Sequence, residues 1–323
     1  MTKNVKTWIC KNKPGYAPYI FIAPFVFIFC AFMIYPMGKS IYLAFTATNG
    51  PKSVVWIGLD NFRFLMKDTD FWLAVKNTSV YAFFSLFLQL PLSLGLAVLL
   101  NKKWVKGRNA LRFVFFIPNL IGQVFVAVLF NVLFFPRFGL VNRALAAVVH
   151  AGPAWFSNAV ESWWIVHFGS GVVDSQWLNN ADLVMPALIL SSMWIYVGFN
   201  MIYFLAALQA VDKQLYDAAA VDGASSWRCF LHVTLPGIKP VLIFVMILST
   251  IGSFQLFALP YVLLSQTSGP NQSGLTIVMY LFQTGFRTGD LGYASAVGWM
   301  LVIIILIFSL IQLFFSGTLQ ARK

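Results

Sequence analysis

Six stretches of this chain are apolar over the length of a membrane span: about 18–46, 71–100, 111–135, 183–210, 240–263 and 292–316. A helix needs roughly 20 mostly apolar residues to cross the hydrocarbon core of a bilayer. In lipid every backbone N–H and C=O must find its partner inside the protein, so runs of this length fold as helices. The predicted class is all-α integral membrane, with about six transmembrane helices. Composition agrees, since 59% of the 323 residues are hydrophobic and 10% are charged, against about 25% charged in a soluble domain.

The remaining apolar segments are too short to cross. "LTIVMYLFQTGF" (275–286) reads as an outer-surface or re-entrant helix, and "SWWIVHFG", Ser162 to Gly169, as an interfacial aromatic patch. The loop of about 136–182 has no strand alternation and is too short for a sizeable soluble core. The basic start (Lys3, Lys6, Lys11, Lys13) precedes a run, Tyr19 to Phe45, longer than a signal-peptide core, which predicts an uncleaved first span.

Charge gives the orientation. Lys102, Lys103, Lys106, Arg108, Arg112, Lys213, Arg228, Lys239, Arg322 and Lys323 fall on the same side as the basic start, with few acids. Asp60, Asp68, Asp70, Glu161, Asp174, Asp182 and Asp290 fall on the other. The positive-inside rule then puts both termini in the cytoplasm, which six spans permit. The net charge of +12 is dispersed in short loops and forms no stripe, so it implies a bilayer as partner and no nucleic acid. Cys10, Cys30 and Cys229 show no paired spacing, and His150, His167 and His232 are scattered, so neither a disulfide nor a metal site is expected.

Chemistry of other kinds is missing. A phosphate-cradling P-loop needs a glycine five residues before its "GKS"; the "GKS" at 38–40 has Met33 there, and lies at the end of a span. The spans contain no paired carboxylates of the kind ion-coupled carriers keep in the membrane. Lys39 and Lys76 lie near span ends, where they can snorkel. No Ser/His/Asp or Cys/His set suggests an enzyme. Neutral polar groups do occur in the spans: Asn119, Gln123 and Asn131; Ser191, Ser192, Asn200 and Gln209; Ser249, Thr250, Ser253 and Gln255. Helix–helix hydrogen bonding accounts for any one of them. Beside Trp194, Tyr196, Phe199, Phe254 and Phe257 they also suit a sugar, whose ring stacks while its hydroxyls find amides and hydroxyls.

One stretch interrupts the apolar pattern on the basic side: "LYDAAAVDGASSWRCFLHVTLPGIKP", Leu215 to Pro240. Leu215 to Asp222 can make two helical turns, which Gly223 can stop in a left-handed conformation. Ser225 can cap a second short helix, Trp227 to Val233, which Pro236 is expected to end, with Pro240 opening span five. The product is a small helix–turn–helix on the membrane face. Its alanines, Ala218, Ala219 and Ala220, present a low surface able to seat in a partner's groove, and Asp217 can meet a cation or backbone donor there. An interfacial helix without a partner is the plain alternative.

This stretch resembles the E-A-A loop of bacterial ABC-importer membrane subunits, in the carbohydrate branch that includes maltose, lactose and glycerol-phosphate permeases. Asp217, Ala218, Ala219, Asp222, Gly223, Ala224, Phe230, Leu235 and Pro236 occupy motif positions, with aspartate for the commoner glutamate at 217 and Val233 for isoleucine. "WIGLDNFRFL" (56–65), "NTSV" (77–80), "LRFVFFIPNLIG" (111–122), "FGLVN" (138–142), "MWIYVGFNMIYFLAALQ" (193–209), "FQLFALPYVLL" (254–264) and "DLGYASAVGWML" (290–301) extend the resemblance over most of the chain. Residues 159–176 fit poorly and look like an insertion.

The resemblance implies a MetI-like ABC type I importer permease fold. Segments 1–17 and 317–323 would be cytoplasmic, 18–70 the first span and its outer loop, and 71–316 the core with five spans and a coupling loop at 212–238. It implies a bacterial inner-membrane subunit paired with a second homologous permease subunit, two ATPase subunits and a periplasmic or extracellular sugar-binding protein. The chain itself would hold no cofactor, ATP and Mg being bound by the ATPase. Asp217, Ala218, Ala219, Ala220, Asp222, Gly223 and Ala224 would carry ATPase coupling. Aligned on Trp194, the family's sugar site falls at Ile195, Tyr196 and Phe199, and on span five near Ser249, Gly252 and Ser253; Asn200 and Gln255 join them by chemistry. The expected cargo is an oligosaccharide or sugar derivative. The competing reading is a stand-alone secondary carrier or channel for a polar solute.

Overall fold

The computed structural model describes residues 17–48, 54–102 and 104–316. The basic start, Cys10, Lys103 and the tail with Arg322 and Lys323 lie outside the described residues. Helix α1 (Ala17–Phe29) passes through a π turn, Cys30–Ile34, into α2 (Tyr35–Ala44). Strand β1 (Thr46–Thr48) pairs antiparallel with β2 (Val54–Trp56), and α3 (Asp60–Leu65) leads to α4 (Thr69–Asn101). Then come α5 (Arg108–Ile121), α6 (Gln123–Leu133), α7 (Leu140–His150), α8 (Ala154–Phe168) and α9 (Ala181–Ala210). Helices α10 (Lys213–Val221) and α11 (Ser226–Cys229) form an elbow, and a π turn at Phe230–Thr234 leads into α12 (Leu235–Phe254). Helices α13 (Ala258–Leu263), α14 (Ile277–Phe282) and α15 (Leu291–Phe315) complete the chain.

Among the described residues, five helical segments are long and apolar enough to cross a membrane, and six if the bent pair α5–α6 counts as one span. The expected single helix over 111–135 is therefore corrected: the pair turns by 101° at its break. Gly122 sits there at φ 87°, ψ 155°, a conformation closed to residues with a side chain, and no helix continues through it. The expected span 240–263 is corrected as well. Helix α12 starts earlier and stops at Phe254, and α13 is a separate short helix.

The expectation that Pro236 ends the second elbow helix fails for a related reason. A proline lacks an N–H and crowds the carbonyl four residues back. Here the helix widens before Pro236, with the Leu235 amide bonding back to the Phe230 carbonyl, and α11 runs on into α12. The same device precedes Pro36, where the Tyr35 amide bonds to the Cys30 carbonyl.

Helix α9 is the centre of the bundle. Of its most apolar window 61% is buried, against none of the corresponding window of Tyr19–Ala44, which lies on the outside. It packs along α4, α5 and α12. Against α5 the approach is close, since a Cβ at Gly198 would lie 1.7 Å from the Phe115 carbonyl oxygen. One apolar cluster joins Phe130, Phe134, Trp177, Leu188 and Leu259; a second joins Phe71, Met279, Tyr293 and Val297; a third joins Leu100, Met201, Phe204, Ile238 and Val245.

Helix α9 defines two ends. At its start lies a lobe made of α7, α8 and the loop to Asn180; at its finish lies the elbow. Ser162 to Gly169, read as an interfacial aromatic patch, is the last part of α8 and the turn after it. Acids mark the helix starts at the lobe end, where a negative side chain satisfies free amides. Asp68 accepts from the Asp70 and Phe71 amides, and Asp290 from Tyr293 N at 2.9 Å. Asp68 also accepts from the hydroxyls of Tyr280 and Tyr293, joining α4, α14 and α15. Burial pushes its carboxyl up, but these hydrogen bonds outweigh burial and hold it below the usual range. The β-hairpin is clipped to the start of α15: Thr48 Oγ1 donates to Asp290 Oδ1 at 3.2 Å and accepts from Gly292 N at 2.8 Å.

Candidate functional site

The elbow is built as its residue types dictate. Asp212 caps α10, accepting from the Gln214 amide at 2.9 Å. Gly223 turns the chain at φ 68°, and the Ser225 hydroxyl accepts from the Arg228 amide at 3.4 Å. Tyr216 Oη lies 3.1 Å from Thr234 Oγ1, which ties α10 to the base of α12. No residue of α10 or α11 is buried. Val221 is 89% exposed and Trp227 67%, a large apolar display for so short a segment. Asp217, Ala218, Ala220, Asp222 and Gly223 are exposed, whereas Ala219 and Ala224 are half-buried. Ala219, Ala220 and Ala224 line a cleft of about 450 Å³ between the elbow and the ends of α4 and α9.

Midway along the bundle, α4, α9 and α12 enclose a cavity of about 90 Å³. Of the residues singled out from sequence, Tyr196, Phe199, Asn200, Ser249, Gly252 and Ser253 line it together. The others lie elsewhere. Ile195 is 1% exposed in the apolar cluster near the lobe. Trp194 packs edge-on against Phe130, with ring centroids 5.7 Å apart. Gln255 is exposed at the end of α12.

Tyr81 and Gln89 of α4 and Tyr203 of α9 also line the cavity and were not singled out. A signal for the α4 residues was present. Tyr81, Ser85, Gln89 and Ser93 recur every four residues in an apolar span, which puts polar atoms on one helix face. Gln89 Nε2 donates to Ser85 Oγ at 3.1 Å and to Ser192 Oγ at 3.2 Å, so that face is hydrogen-bonded to α9. Gln123, just past the Gly122 break, donates to Tyr196 Oη and orients the phenol beside the cavity. Charged side chains are absent from the lining, which is aromatic and aliphatic (Val245, Leu248) with a few amides and hydroxyls. Among the described residues, no group of three His, Cys, Asp or Glu could hold a metal ion.

Comparison with known proteins agrees with this architecture. Residues 89–323 match the family described as binding-protein-dependent transport system inner membrane component. The chain is 38% identical over 306 residues to the arabinooligosaccharides transport system permease protein AraP of Bacillus subtilis (strain 168), covering 95% of this chain and 90% of that one. It is 30% identical over 299 residues to the lactose transport system permease protein LacF of Rhizobium radiobacter, covering 92% of each. Among solved structures it is similar to a bacterial ABC transporter involved in the import of the acidic polysaccharide alginate, with TM-score 0.75 and 26% identity over 94% of this chain and 96% of that one. The chain thus belongs to the family of binding-protein-dependent transport system inner membrane components, among the carbohydrate ABC importer permeases.

Proposed function

We propose that this chain moves a carbohydrate, an oligosaccharide or sugar derivative, across the bacterial inner membrane, driven through its elbow by separate ATPase subunits. A solute-binding protein delivers the sugar at the lobe end, and the elbow end and both termini face the cytoplasm. ATP and Mg sit in the ATPase pair. ATP favours one global state by binding it better, and the elbow passes that preference to the spans.

The observation that carries the reading is continuity between elbow and cavity. Helix α10 begins three residues after the last residue of α9, and α11 is one rod with α12. Asn200 and Tyr203 on α9, and Ser249 and Ser253 on α12, are walls of the mid-span cavity. A partner that shifts the elbow therefore shifts two of the cavity's three walls. Asp217 makes a polar contact with the ATPase, the alanines keep the seat shallow, and Gly223 permits the turn.

The size of the cavity bears on the partners. At about 90 Å³ it has room for roughly three water molecules, and small-molecule sites are about 300–1,000 Å³. A second, homologous permease subunit and a change of state complete the site. Asp217→Lys and Gly223→Pro test the coupling. Each is expected to leave the chain folded in the membrane while ATPase subunits no longer co-purify or uptake stops. Normal co-purification and uptake by both variants would remove the elbow from the mechanism. Uptake by the purified chain without ATPase would establish the stand-alone carrier instead.

A further inference from the structure

A larger cavity, about 500 Å³, opens at the lobe end, away from the mid-span site. Three distant parts of the chain build it: the end of α6, the loop before α9 and the loop after α13. Phe135, 55% exposed, gives it an aromatic wall, and two buried rings lie beneath. Phe134 and Trp177 stack with ring centroids 5.1 Å apart and planes 27° from parallel. The indole N–H of Trp177 donates to Asn142 Oδ1, and Asn142 Nδ2 donates to the Ser175 carbonyl at 3.0 Å. Asn142 is fully buried, so the ring is held in one orientation.

The rim is polar and its hydrogen-bonding capacity is largely unused within the chain. Asn131 spends Nδ2 on the Leu263 carbonyl at 3.1 Å, which fixes the amide and leaves Oδ1 without a donor among the described residues. The side chains of Gln176, Asn179 and Ser265 line the cavity, and none of the three hydrogen-bonds within the described residues. Charged residues do not line it. Backbone strain is concentrated here too. The five non-glycine residues with positive φ among the described residues are Arg137, next to the rim at Pro136, and Ser265, Gln266, Asn271 and Gln272 in the rim loop. Strained backbone of this kind persists where the surrounding structure enforces it, and it gathers at binding sites.

The exposed Phe135 ring beside uncharged amides and a hydroxyl suits a neutral sugar ring, which stacks on the one and hydrogen-bonds to the others. The volume lies within the range of small-molecule sites. We propose that this cavity is an approach subsite, holding one neutral sugar unit of the cargo before the chain enters the bundle. The proposal rests on the carbohydrate reading above. It adds a second binding position and a preference for uncharged over acidic units.

The test uses the assembled transporter in proteoliposomes, with its ATPase and binding protein. Uptake of arabinotriose, maltotriose and chitotriose is measured, and the binding of each to the transporter alone is followed by calorimetry. For a trisaccharide that is carried, the double variant Gln176→Ala/Asn179→Ala is expected to raise KM and weaken direct binding about tenfold, from two lost hydrogen bonds, with kcat and basal ATPase activity kept. Trigalacturonate is expected to bind at least about tenfold more weakly than the neutral sugar. If the parent carries the sugar and the double variant matches it in KM and affinity, the subsite is refuted and the transport reading stands. Equal affinity for trigalacturonate overturns the neutral preference. If the parent carries no carbohydrate, the transport reading falls and this proposal with it.

Discussion

The lobe and the elbow sit at opposite ends of α9 and are made in opposite ways. The lobe is held together by side chains. Besides the Asn142 bonds, Trp164 Nε1 donates to Ser175 Oγ at 2.7 Å, Asn180 Nδ2 to the Phe168 carbonyl at 3.0 Å, and the Val172 amide to Glu161 Oε1 at 3.1 Å. The elbow has its caps, one tyrosine tether and no buried residue. A segment cross-linked by this many internal hydrogen bonds keeps its shape unaided, even with Trp155 and Trp163 of α8 in the open. One that lacks such a network and leaves Val221 and Trp227 in the open is a surface awaiting a partner. The lobe is thus a rigid mouth and the elbow a handle.

The severest way to break this contrast acts between the two ends. Gly198→Val forces a side chain into the Phe115 backbone, and is expected to cost about 3 kcal/mol and loosen both ends at once; thermal unfolding in detergent reads it. A bundle as stable as the parent would show that α5 and α9 do not need their close approach. Next in size is Asn142→Leu, which leaves the Trp177 N–H and the Ser175 carbonyl unpaired in a buried site. We expect a loss of about 2 kcal/mol, with proteolysis of the lobe quickened and the elbow's unchanged. Equal quickening at the elbow would dissolve the distinction.

Asp68→Asn is milder at neutral pH, because asparagine caps a helix about as well as aspartate. Its signature is in the pH dependence. The folded pKa of Asp68 lies below its unfolded value of 3.8, so the carboxylate's stabilisation is complete above that value and lost as pH falls through the folded pKa. The variant is expected to lack this part of the acid limb, as unfolding profiles across pH 2 to 6 would show; identical limbs would discount the tyrosine clamp. The smallest stability effect is predicted at the elbow. Val221→Ser should change stability by no more than about 0.5 kcal/mol, yet weaken ATPase capture in a pull-down. A large loss of stability would mean that the elbow supports the bundle rather than awaiting a partner.

Legibility followed the range of the interactions. The elbow was readable almost residue by residue, because Asp212, Gly223 and Ser225 act on amides two to four positions away. Pro236 was misjudged, since a proline's local meaning is to stop a helix, and the widened turn that absorbs it depends on the rod continuing into packed α12. The break at Gly122 was missed because a glycine between apolar runs has no sign of its own. The cavity was half legible. Tyr196, Asn200 and Ser253 were marked by polar chemistry in apolar spans, while Tyr81 and Gln89 needed the pairing of α4 with α9 to bring their face inward. The lobe cavity was not legible at all, for its wall and rim come from residues more than 130 positions apart, Asn131 and Ser265.

The amino-acid order alone determined that the chain is a membrane bundle, where four of its spans fall to within a few residues, and that its elbow has caps and a turn. Lipid leaves an apolar run no state but the helix, and a capping bond closes within one turn of chain. Only the tertiary structure decided which span lies at the centre, which polar faces meet, and where the third run breaks. Those outcomes depend on which helices approach closely enough to exchange hydrogen bonds and fill each other's grooves, and no local stretch of residues contains that information.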